Sequence, residues 1–72
     1  RESYRASELV RLVGYMQETL PQIVLRLPDG SRKETLFRLD NLQDDPALKD
    51  IQPGLRELRS KVKAAVEKAS IP

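Results

Sequence analysis

The sequence predicts an α+β domain: a helix, a β-hairpin, a short helical turn and a long C-terminal helix, with both helices on one face of a two-stranded antiparallel ribbon. Three observations carry this prediction. Apolar residues recur at three- and four-residue spacing at both ends of the chain, a run of alternating apolar and polar residues lies between them, and Pro28-Asp29-Gly30 interrupts that run with turn-forming residues.

The first helix is expected over residues 4–20. Ala6, Leu9, Leu12, Val13, Met16 and Leu20 fall within about 120° of arc at 100° per residue. Ser3 or Ser7 is suited to cap its start, and Glu8 suits the positive end of the helix dipole behind a Ser7 cap. Pro21 disfavours helical geometry at Leu20 and predicts the stop. Gly14 lies off the apolar stripe and weakens the helix by about 1 kcal/mol relative to Ala.

The hairpin is expected over residues 22–39, with strands Gln22-Ile23-Val24-Leu25-Arg26-Leu27 and Lys33-Glu34-Thr35-Leu36-Phe37-Arg38-Leu39. In the turn, Pro28 presets φ, Asp29 tolerates the second corner, and Gly30 takes a left-handed position as a bulge. That register sets Ile23, Leu25, Leu27, Thr35, Phe37 and Leu39 on an inner face. Arg26, Arg32, Glu34 and Arg38 fall on the outer face, where Val24 and Leu36 are left as apolar contact points.

Residues 40–52 form a polar connection. Asp45-Pro46 is an N-cap followed by proline in the first helical position, and it predicts one helical turn over 46–51. Leu42, Leu48 and Ile51 are expected to tuck inward. The longest helix is expected over 53–70, with Leu55, Leu58, Val62, Ala65, Val66 and Ala69 inward and Arg56, Arg59 and Lys63 together on one flank. Ser70-Ile71-Pro72 is expected to fray.

The 72 residues are enough for one small domain, and a start at Arg1 rather than Met suggests a domain excised from a longer protein. Apolar residues make up 39%, of which only Tyr4, Tyr15 and Phe37 are aromatic. With no Cys and no His, disulfides, thiolate metal sites, the commonest zinc ligand and the commonest general base are all missing. No cofactor or metal site is expected. The Asp40, Asp44, Asp45 and Asp50 cluster departs from calcium-loop spacing and reads as a solvated, helix-capping loop. No nucleophile has a base to serve it, so no catalytic residues are assigned and the chain is expected not to be an enzyme. No apolar stretch is long enough to span a membrane, and the lack of Cys fits an intracellular, cytoplasmic setting.

Charge is unevenly spread. Residues 1–39 carry +2, residues 40–52 carry −3 and residues 53–72 carry +3. An acidic segment beside a basic helix suggests charge pairing within or between chains.

The stretch Arg26-Leu27-Pro28-Asp29-Gly30-Ser31-Arg32, with Phe37 beyond it, resembles the first hairpin of UBX domains, ubiquitin-like modules that dock onto an AAA ATPase. The resemblance covers a small part of the chain. The later strands and the Phe-Pro-Arg contact loop of that family have no counterpart, so no functional residue is carried over.

The sequence therefore predicts a non-catalytic protein–protein interaction or assembly module. Its expected partner is another protein or a second copy of itself, with no membrane. The expected contact residues are Val24, Arg26, Leu36 and Arg38 on the outer sheet face and Arg56, Arg59 and Lys63 on the C-terminal helix. A nucleic-acid-binding module using the basic flank is the alternative, and a structural part of a larger enzyme is a further one.

Overall fold

The computed structural model describes the backbone of residues 2–69 and the side chains of residues 6–69. The expected frayed tail at 70–72 and the side chain of Ser3 lie outside those residues. Among the described residues there are three α-helices, α1 (Glu2–Val24), α2 (Asp29–Gln43) and α3 (Gln52–Ala69), with a 3-10 turn at Pro46–Ile51 between α2 and α3. They contain no strand, so the predicted α+β ribbon is corrected to an all-helical fold.

The predicted hairpin is instead the end of α1, a four-residue corner and α2. Pro28 is the residue before α2, in extended geometry (φ −59°, ψ 156°), and its carbonyl accepts the first helical bond from Arg32 N at 3.1 Å. Asp29 then occupies the first turn, where the helix dipole favours an acid. Gly30 is an ordinary helical residue, because no glycine here has positive φ. Asp29–Lys33 at 3.5 Å and Glu34–Arg38 at 3.6 Å are i,i+4 pairs along the exposed face, each contributing about 0.3–0.5 kcal/mol. Thr35 Oγ1 donates to Ser31 O at 2.8 Å. A two-stranded ribbon leaves its outer edges unpaired, whereas the helix satisfies its backbone internally. The similarity to a UBX hairpin therefore ends at the sequence.

Helix α1 also overruns its expected end, because Pro21 lies inside it. The proline removes the bond to the Gln17 carbonyl. The helix nonetheless continues to Val24, whose side chain is 0% exposed in the core. At 23 residues, α1 rather than the C-terminal helix is the longest element. Ser7 lies within it rather than capping it.

The other elements fall where the sequence puts them. Asp45 caps the 3-10 turn by accepting a hydrogen bond from Ala47 N at 2.9 Å. Leu55, Leu58 and Val62 of α3 are buried, while Ala69 is exposed. Ile51 is buried and Leu48 packs against the core, but Leu42 is exposed rather than inward.

The core comprises Val13, Val24, Leu39, Ile51, Leu55, Leu58 and Val62 and holds no buried polar side chain. Around it pack Leu9, Met16, Leu20, Leu27, Leu36, Leu48, Ala65 and Val66. Helix α3 is the central element, touching both α1 and α2, which meet each other far less. Gln52 Nε2 donates to Gln43 O at 2.9 Å, and Arg59 pairs with Asp40, so α2 and α3 run antiparallel. At the opposite end, Arg32 of α2 donates to Val24 O at 3.2 Å and Leu25 O at 2.9 Å, closing the α1–α2 corner. Helix α1 therefore runs parallel to α3, with Val13 and Gln17 level with Gly54 near the start of α3.

That register has a consequence for shape. The part of α1 before Val13 extends past the start of α3, and the Cα envelope is 47 × 20 × 16 Å. The radius of gyration is 12.9 Å, against about 11 Å for a compact chain of this length.

Candidate functional site

Helix α1 carries two apolar stripes. One, centred on Val13, Leu20 and Val24, faces the core. The other comprises Leu12, Tyr15, Thr19 and Ile23, which fall within about 80° of arc on the adjoining flank. Leu12 is 52% exposed, Tyr15 65% and Ile23 51%. Leu12 was expected among the inward residues; it sits at the edge of that arc and turns outward.

The outer stripe has relief. Tyr15, Thr19, Gln22, Ile23 and Arg26 line an open groove of about 230 Å³. Tyr15, Thr19 and Ile23 line it at four-residue spacing, with Thr19 Oγ1 donating to Tyr15 O at 3.0 Å. Glu8 lies one turn before Leu12, within reach of it on the helix surface, and Arg26 closes the other end of the groove. The stripe Glu8, Leu12, Tyr15, Thr19, Gln22, Arg26 steps by four and three residues in turn, with Leu12 and Tyr15 as its apolar members; that step pattern is the one paired helices share. Among the described residues neither Glu8 nor Arg26 has an ion-pair partner.

The chain as a whole exposes more surface than its mass requires. An 8.2 kDa chain exposes about 4,500 Å² when compactly folded, whereas this one exposes 5629 Å². The surplus, roughly 1,100 Å², exceeds the roughly 800 Å² that each partner contributes to a standard interface.

The contact residues expected from sequence do not form one face. Val24 is enclosed in the core and Leu36 packs against it, so both hold the fold together and are not on an outer face. Arg38 is engaged with Glu34 along α2, and Arg59 is turned inward to Asp40. Arg56 and Lys63 remain exposed on one flank of α3, with Glu67 one turn beyond Lys63. Arg26 alone joins the outer stripe of α1. Sequence reasoning missed Tyr15 and Ile23 as members of that stripe; the signal was present as four-residue spacing with Thr19.

The acidic segment is likewise dispersed. Asp40 pairs with Arg59, Asp45 caps the 3-10 turn, and among the described residues no three acidic side chains converge where a metal ion would be held. A second groove, about 240 Å³, lies where α1 passes the start of α3, lined by Val10, Val13, Gly14, Gln17, Asp50, Ile51, Pro53 and Gly54. Asp50 is the one ionisable residue on it, so it brings no acid–base pair together. No helix among the described residues is long and apolar enough to cross a membrane. Comparison with protein-family models, with curated proteins and with solved structures finds no match to this chain.

Proposed function

We propose that this chain is a non-catalytic protein–protein interaction module that receives an amphipathic helix along the outer stripe of α1. The observation that carries the reading is that stripe: Leu12, Tyr15 and Ile23, each more than half exposed, around a groove whose relief suits a second helix. Glu8 and Arg26 at the two ends favour a partner helix with a basic residue opposite Glu8 and an acidic one opposite Arg26. The mechanism is burial of apolar surface, with the terminal charges setting orientation.

The test is an amide-resonance titration of the labelled chain. The ligand is a synthetic helical peptide with leucines at alternating four- and three-residue spacing, one acidic end and one basic end. The reading expects shifts concentrated at Leu12, Tyr15, Thr19 and Ile23. Shifts confined to Arg56 and Lys63, or none at millimolar peptide, would contradict it.

A further inference from the structure

We propose that the helix received by α1 is α1 of a second copy of this chain, laid antiparallel along the outer stripe across a two-fold axis level with Gln17, whose own side chain faces α3 on the other side. The inference rests on the docking reading above and adds the identity of the occupant.

The argument is self-complementarity. A two-fold interface joins a patch to itself, so residue i meets j and j meets i. The α1 patch meets that condition. Its acidic end, Glu8, and its basic end, Arg26, flank the apolar centre at equal distance from Gln17. Antiparallel pairing about that centre sets Glu8 against the partner copy's Arg26 at both ends. It also sets Tyr15 against Thr19, and Leu12 beside Gln22 and Ile23. Within one chain Glu8 and Arg26 cannot meet, because Arg26 lies in the corner just past Val24 and the helix from Glu8 to Val24 spans about 24 Å. Parallel pairing would instead stack Glu8 on Glu8 and Arg26 on Arg26, which like-charge repulsion disfavours.

Spacing and shape agree with this arrangement. Alternating four- and three-residue steps favour a shallow crossing of about 20°, which keeps two helices in contact along their length and lets both charged ends engage. The first half of α1 projects beyond the start of α3.

The experiment is light scattering coupled to size exclusion on the 72-residue chain up to about 1 mM, the weak end of specific affinity, with circular dichroism to confirm that each variant stays helical. Wild type is expected to reach twice the chain mass. Glu8→Arg alone and Arg26→Glu alone should each weaken the dimer at least about tenfold, and the double variant should regain most of the loss. A wild type that stays monomeric throughout overturns the inference, as does a dimer indifferent to both single reversals or not rescued by the double one. If the wild type is monomeric yet the synthetic peptide still shifts the α1 stripe, the homotypic inference fails and the docking reading stands. If neither occurs, both fail.

Discussion

Gln17 reaches from α1 to α3, where its Nε2 donates to the backbone carbonyl of Gly54 at 2.9 Å. The contact requires the two helices to approach closely, and Gly54 permits it: a Cβ at that position would stand 3.0 Å from Val13 Cγ1. Gly14, one residue from Val13 on α1, has open space where its Cβ would be.

The two glycines should therefore respond with opposite sign to one substitution. Gly14→Ala gains helix propensity without a clash and should stabilise by about 0.5–1 kcal/mol. Gly54→Ala pushes into the buried, β-branched Val13 and should destabilise by about 1 kcal/mol or more. Urea denaturation of the two variants beside wild type measures both values. Equal gains would show that α1 and α3 are not in close contact at Gly54.

Arg32 holds the corner between α1 and α2 with two bonds, to Val24 O and Leu25 O. Val24 O also accepts from Leu27 N at 3.2 Å, so Arg32 adds a second bond there and holds the Leu25 carbonyl just past the helix end. Arg32→Ala should cost about 1–2 kcal/mol and raise amide exchange at residues 25–27 before the rest of the chain. Arg32→Lys should recover only part of the loss, since an ammonium lacks the planar fork that reaches two carbonyls at once.

Burial separates the two most informative apolar truncations. Leu58 is fully enclosed, and Leu58→Ala should cost about 2–5 kcal/mol, a large share of the stability of any small domain. Phe37 is 64% exposed, and Phe37→Ala should change stability by less than about 0.5 kcal/mol. A hairpin with Phe37 on its inner face would make the two losses comparable, so the pair tests the helical assignment of residues 29–43 as well.

Asp40 and Arg59 tie α2 to α3, but both side chains keep contact with solvent. A double-mutant cycle with Asp40→Asn and Arg59→Gln should give a coupling of no more than about 1 kcal/mol, falling as salt is added. A larger, salt-insensitive coupling would mean that the pair is shielded from water.

Much of this fold is legible in the sequence wherever one physical signal dominates. The core stripes of α1 and α3 follow from apolar spacing, and the 3-10 turn follows from Asp45-Pro46. Residues 22–43 misread because two signals coincide there. Pro28-Asp29-Gly30 suits a hairpin turn, yet a proline in extended geometry followed by an acid also starts a helix. Thr35, Phe37 and Leu39 alternate like a strand, while Leu36 and Leu39 keep helical spacing. Charge adds a helical signal there: Asp29–Lys33 and Glu34–Arg38 are i,i+4 pairs, which favour a helix over a strand. Pro21 misled for a related reason, since its local cost is outweighed by the burial of Val24 one turn later. The docking stripe was hidden by the same error. Once Ile23 is assigned to a strand, it cannot be seen to continue the line of Tyr15 and Thr19.

The central claim is that two copies of α1 lie antiparallel along this stripe. The chain has no Cys, so Ser7→Cys and Leu25→Cys variants each carry one spin label, at exposed positions near opposite ends of α1. Intermolecular distances are then measured by pulsed electron paramagnetic resonance in each like-labelled sample and in the mixture. Antiparallel pairing gives a 7-to-25 distance in the mixture that is shorter than either the 7-to-7 or the 25-to-25 distance. Like-labelled pairs that lie closer, or no intermolecular coupling at concentrations up to about 1 mM, would contradict it.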